Sequence, residues 1–501
     1  MTQLSINQVL NSDLTLNEAQ VEAYAKLGIG SYLNSPFAGG PKNAKYGWNA
    51  TEWRDILGRI QAIHRKIDRH PILFGLDSVH GANYVANAVL FPHQINAGAS
   101  FNRRLVKELG FYTARDTAAA GIPWIFGPIL DVASHKAWPR VYETFGEDPF
   151  LVTQMASQIV HANASIVSHG PAIDSIGHLC GGWSLAWQGN GGNDMFPHGQ
   201  SVLAALKTAV YVPTDMAEAT RLAGQAAYTL VVLGEGPYAE KPGDIHDLAL
   251  PDGQVAYVRA LAATKTKLLL VLVEGRPRLL QGLPDLASAV LHAMLPGEMG
   301  GAAIASVLLG ARTPVAGCPV TYYHRRNAGC NTNGLFGECA PEWAFGSGLS
   351  YTRFTYSDVS VLVGEHHALT ITLAVQNTGD RDGDHVVLLF LRQEARRGNA
   401  PETKRLVFFE KLAVAAGSAK VVRAELRAKD WGIYTNEVGH GLEKHVSPGA
   451  YTLLVSEAAD CAKGQCVRFR AGVHGTYTPT TTVQVAAQSH VASVLRYHMS
   501  L

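Results

Sequence analysis

The 501-residue sequence has no apolar run approaching the ~20 residues that cross a bilayer, so no membrane partner is expected. It lacks an excess of either charge: 42 Lys and Arg stand against 41 Asp and Glu, and a formal net charge of +1 gives no electrostatic basis for nucleic acid or anionic lipid as a partner. Charged residues are 17% of the chain, fewer than the usual quarter. The start, MTQLSINQVLNSDL, has neither a basic segment nor an apolar h-region, so no secretory signal is visible and the compartment is left open. Six cysteines (Cys180, Cys318, Cys330, Cys339, Cys461, Cys466) are too few to define a disulfide scaffold. Cys330 with Cys339, and Cys461 with Cys466, are spaced either to close short loops in an oxidising compartment or to stay as thiols. Cys461 and Cys466 are isolated from other zinc-type ligands, and no metal or cofactor is implied. There is no repeat of fixed period and no low-complexity tract.

What is abundant is glycine, 50 residues, which points to turns and close helix–sheet packing. The length fits two to four domains. Residues 20–160 read as strand–helix units, with strands at Leu27–Asn34, Pro71–Val79 and Ile122–Val132. Between them, Thr51 is expected to cap a helix with Trp53, Ile56, Leu57, Ile60 and Ile63 on one face; further helices are expected over Asn102–Ala120 and Asp148–Ala162. This spacing predicts a parallel sheet with crossover helices, in which functional groups gather at the carboxyl ends of strands, where Asp77 and Asp131 fall. A full (β/α)8 barrel needs roughly 250 residues; about three units precede a change of pattern near Asn163, so the barrel reads as partial. From Ile166 to about Tyr351 come near-continuous apolar strands, Thr229–Gly236, Leu268–Gly275 and Ala289–Leu295, with helices at Gln254–Thr264 and Glu298–Leu309. After Tyr351 the period becomes two (Leu369, Ile371, Leu373, Val375), as in a half-buried antiparallel sandwich.

Several long motifs carry a resemblance in a fixed order: GLDSVHG (Gly75–Gly81), LFPHQINAGASFN (Leu90–Asn102), FGPILDVASHKAWPRVYETFGEDPF (Phe126–Phe150), LCGGWSLAWQG (Leu179–Gly189), LGEGPYAEKPGD (Leu233–Asp244), MLPGEMGGAAIASVLLG (Met294–Gly310) and PEWAFGSGLSYTRF (Pro341–Phe354). Together they resemble glycoside hydrolase family 3, the β-glucosidase-like enzymes, over nearly all of the chain to about Val473. The resemblance implies a multidomain α/β plus β protein: residues 1–164 a partial TIM-like barrel, 165–350 an α/β sandwich, 351–473 a fibronectin type III-like β-sandwich, and 474–501 an irregular tail. It implies retaining hydrolysis of terminal non-reducing β-D-glucosyl residues of a β-glucoside or oligosaccharide; oligomeric state is not specified.

Retaining hydrolysis needs two carboxyl groups about 5 Å apart, one nucleophile and one general acid/base. Glu240, in a loop stiffened by Pro237 and Pro242, matches the acid/base, with Glu235 as second choice. Asp77 matches a carboxylate that accepts from sugar hydroxyls, although by pattern alone it reads as a loop acid or N-cap. Arg140 matches a sugar-contacting Arg, against plain pairing with Glu143 or Glu147, and Trp183 suits a stacking platform, with Trp187 able to take either that part or a core one. Asp131 and Glu147 read as partners that hold their loop, and His80 as a structural histidine. The family's Lys-His-Phe strand end and its Ser-Asp-Trp-like strand end, which supplies the Asp nucleophile, have no counterpart. MTQLSIN resembles the interior of the family's first helix and strand, so the chain reads as incomplete, and the alternative to an enzyme is a non-catalytic carbohydrate-binding remnant.

Overall fold

The computed structural model describes residues 3–471 apart from 69, 161–173, 190, 207–215, 252, 265, 315–316, 324–340, 397–399, 435–442 and 456–464. Cys330, Cys339, Cys461, the change of pattern near Asn163 and the tail after 471 lie wholly or mainly outside these residues. The chain divides into two compact units, the first reaching Leu309 and the second running from Gly310.

The first unit opens with four parallel strands in sequential order: β1 (Gln3–Ser5), β2 (Ser31–Leu33), β3 (Leu73–Leu76) and β4 (Trp124–Ile125). Helices Glu18–Lys26, Ala50–Ile67 and Arg103–Ala119 connect them, the alternation that parallel pairing requires. The helix after β2 is capped by Asn49, two residues before the expected Thr51; Asn49 and Glu52 form a reciprocal capping box. Trp53, Ile56, Leu57 and Ile60 are buried as expected, and His64 takes the place in the core given to Ile63. β4 is far shorter than the apolar run suggests, because Gly127-Pro128 follows and proline has no N–H for a ladder. Asp131 is therefore not at a strand end; it is exposed, six positions beyond β4. Among the described residues β1 and β4 are the outer strands, each paired on one side.

A second parallel sheet follows in the same unit: β5 (Tyr228–Gly234), β6 (Lys267–Val273) and β7 (Ala289–His292), with helices Gln254–Ala262 and Gly300–Leu308. In the second unit, strands Phe354–Val363, Leu369–Asn377 and Ala419–Leu426 form one antiparallel sheet. Arg405–Val414, Gly383–Gln393, Gly449–Val455 and Gln465–Ala471 form another. Leu369, Ile371, Leu373 and Val375 all point inward, and Trp431 packs edge-on against Tyr451 in the shared core. Cys466 is disulfide-bonded, while Cys180 is a buried thiol whose pKa burial pushes well up.

Candidate active site

β3 ends at Leu76 and the chain leaves the sheet at Asp77. Burial raises the Asp77 pKa to about 6, the charge of Glu240 adds to the rise, and Arg140 pulls against it. Arg140 stands at the Trp-Pro-Arg corner, ahead of the turn Val141–Glu143. Its Nε and Nη2 fork onto the buried Glu143 carboxylate at 3.0, 3.1 and 2.7 Å. Burial raises the Glu143 pKa, and Arg140 lowers it in turn. The free arm of the fork, Nη1, faces Glu240 Oε1 at 3.3 Å.

Glu240 arrives on the loop after β5. That loop leaves the sheet at Gly234, φ +150°, where an added Cβ would lie 1.7 Å from the Val273 carbonyl oxygen, so only glycine fits. Glu240 itself has φ 51° and ψ −145°, a region costly for a residue with a Cβ. Its second oxygen accepts from the Trp187 indole N–H at 3.1 Å. Gln188 fixes the preceding residue from both sides, donating to Ala239 O and accepting from Ala239 N, each at 3.0 Å. The carboxyl is thus gripped on one oxygen by a guanidinium and on the other by an indole.

The structure brings Asp77, Arg140 and Glu240 into one electrostatic neighbourhood. Trp183 is close by but only 5% exposed, with φ 61°; its indole N–H makes no regular hydrogen bond, yet it lies near enough to Glu143 to lower that carboxyl's pKa. Trp187 is more exposed than Trp183, and its contact with Glu240 is neither the stacking nor the core part expected for that indole. Glu235 is buried between Arg276 at 3.2 Å and Arg278 at 3.3 Å, and accepts from Tyr238 O–H at 2.9 Å. Glu147 pairs with Lys136, both buried, and among the described residues no hydrogen bond or ion pair engages the exposed Asp131 side chain. His80 donates from Nδ1 to Phe91 O at 2.6 Å and stacks on His93, with burial pushing its pKa to about 4. Among the described residues no group of three or more His, Cys, Asp or Glu is placed to hold a metal.

Comparison with known proteins follows the same outline. Residues 1–212 match the glycosyl hydrolase family 3 N terminal domain, 159–351 the glycosyl hydrolase family 3 C-terminal domain, and 385–459 a fibronectin type III-like domain. The lysosomal beta glucosidase of Dictyostelium discoideum is 25% identical, over 86% of this chain and 85% of that protein. That alignment runs over 708 positions, whereas 86% of 501 residues is about 431, so about 277 positions have no counterpart in this chain. The periplasmic beta-glucosidase of Salmonella typhimurium is 30% identical over 48% of this chain, which spans 34% of that protein. In fold, the chain matches the β-glucosidase of Listeria innocua solved with gluconolactone, with a TM-score of 0.74 at 15% identity over 94% of this chain and 96% of that one. The two family 3 domains together account for residues 1–351, well over half of the sequence.

Proposed function

The chain belongs to glycosyl hydrolase family 3, and on that premise we propose that its site takes a terminal non-reducing β-D-glucosyl residue for retaining hydrolysis. The observation that carries the reading is the convergence of Asp77, Arg140 and Glu240 from three separate segments. Asp77, ionised above about pH 6 and without a side-chain partner, accepts from two neighbouring sugar hydroxyls. Arg140, held in one orientation by Glu143, offers Nη1 to the same sugar. Trp183 forms an apolar wall behind it. In retaining hydrolysis Glu240 would protonate the leaving glycosidic oxygen as its bond to the anomeric carbon breaks, and take a proton from water in the second displacement. In between, an enzyme carboxylate, for which the described residues offer no candidate, would take the glycosyl group. Its two grips steady the carboxyl, and rearrangement of the Arg140 contact when sugar enters frees one oxygen for that transfer.

A second reading, sugar binding without turnover, is favoured by the four-stranded sheet and by the positions absent relative to the Dictyostelium protein. No described carboxylate beyond Asp77, Glu143 and Glu240 is assigned to this site, and none of these is free of another role to serve as nucleophile. Assay with 4-nitrophenyl β-D-glucopyranoside separates the readings. Release of nitrophenol by the unsubstituted chain, together with glucose release from an unactivated alkyl β-D-glucoside that falls at least a hundredfold in Glu240→Gln, supports hydrolysis. Saturable D-glucose binding with no release supports the binding reading, and absence of both contradicts the two together.

A further inference from the structure

The site residues come from distant segments, and three of them lie within three residues of a buried column of rings. His80, three after Asp77, stacks on His93 with ring centres 3.9 Å apart. His93 meets Tyr142, two after Arg140, edge-on at 4.6 Å. Tyr142 meets Tyr238, two before Glu240, at 5.5 Å. Arg276 caps the column with its guanidinium 4.2 Å from the Tyr238 ring centre. Hydrogen bonds tie the members together: Tyr142 O–H donates to Tyr238 O at 2.6 Å, and Arg276 Nε donates to Glu235 Oε2 at 3.2 Å. Arg276 Nη1 donates to Ala137 O at 2.9 Å, three residues before Arg140.

We propose that Arg276 is the positioning residue that sets Glu240 against Arg140, acting through Glu235 and the Ala137 carbonyl. The inference rests on the reading of Glu240 and Arg140 as one sugar site. Glu240 stands in strained backbone, which persists only where the surroundings over-determine it. Arg276 supplies that determination at the base of the loop: one guanidinium edge holds the acid-bearing loop and another nitrogen holds the corner that carries Arg140. The bond to Glu235 is buried and the bond to Ala137 partly so, a setting in which charge-assisted hydrogen bonds are strong and directional. The backbone beneath is equally constrained, since a Cβ on Gly275 would lie 2.7 Å from both Tyr142 Cδ1 and Tyr238 Oη. A lysine cannot reproduce the role, because its single ammonium cannot span Glu235 and Ala137 as a planar fork does.

The Trp187 indole N–H, donated to Glu240, reports the carboxyl's position without any ligand. In protein labelled with 15N-tryptophan, its resonance is identified by loss in Trp187→Phe. Arg276→Lys is expected to displace that resonance and to weaken D-glucose binding about tenfold, the loss of one charge-assisted hydrogen bond. Added to Glu240→Gln, the same change should cost less than it does alone, because part of its effect passes through Glu240. Tyr238→Phe, which removes a single hydrogen bond to Glu235, should displace the resonance in the same direction and keeps the test available if the lysine variant does not fold. An unmoved Trp187 signal in the variants that fold, or fully additive losses, overturns the proposal. If the unsubstituted chain binds no glucose the functional reading fails, while the Trp187 signal still decides the positional claim.

Discussion

Single residues decide the chemistry here through their surroundings. Asp77 is the clearest case: burial first, and the Glu240 charge next, lift its pKa from 3.8 to about 6. A raised carboxyl favours the folded state when protonated, so its stabilising contribution is complete below pH 3.8 and is lost as pH rises through about 6. Asp77→Asn is therefore expected to melt higher than the parent at pH 7 and no higher at pH 4, while losing glucose binding at pH 7. In the parent, affinity should climb between pH 5 and 7; a flat profile would show that ionised Asp77 is not the acceptor. Asp77, Arg140 and Glu240 stood out as candidates in the sequence because each sits in a long motif, Asp77 just past a strand end and Arg140 at a Trp-Pro corner. The tasks of Trp183 and Trp187 were not, since positive φ at Trp183 and at Leu185 turns this short segment back on itself and no side-chain pattern announces that.

At the scale of elements, the loops are set by close backbone contacts as much as by strands. An added Cβ at Gly182 would lie 2.1 Å from the Tyr238 carbonyl oxygen, where the Trp183–Gln188 segment meets the Glu240 loop. Gly182→Ala should cost ~1–3 kcal/mol by overpacking and weaken glucose binding with it, read by thermal melting and titration calorimetry. In the second unit, Trp431 donates to His367 O at 2.9 Å and packs against Tyr451 and Phe469. Trp431→Ala should lower that unit's stability by ~3–5 kcal/mol, seen as a lower denaturant midpoint. Periodicity gave the long helices and the alternating sandwich strands to within a few residues. It failed where elements are short: β1 has three residues, too few for a pattern, and Gly127-Pro128 ends β4 inside an apolar run that continues past it.

For the whole molecule, the fold class followed from the alternation of strands and helices and then the change to period two, and the order of motifs identified the family. Counting strand–helix units led to a partial barrel of about three units, because a parallel sheet adds a strand only with a crossover. Four strands lie in its sheet among the described residues, and about 277 alignment positions of the Dictyostelium relative are unmatched. What no count of units could supply was the joining of Glu240 and Arg140 to Asp77, since those contacts cross between segments far apart in the chain. The central claim is that these three residues make one sugar site. It is tested most directly by calorimetric titration of the chain and of Asp77→Asn, Arg140→Gln and Glu240→Gln with D-glucose at pH 7. Saturable binding at a single site, abolished by the Asp77 and Arg140 changes and weakened by the Glu240 change, is the predicted result. Binding that survives Asp77→Asn and Arg140→Gln, or no binding to the unsubstituted chain, would contradict it.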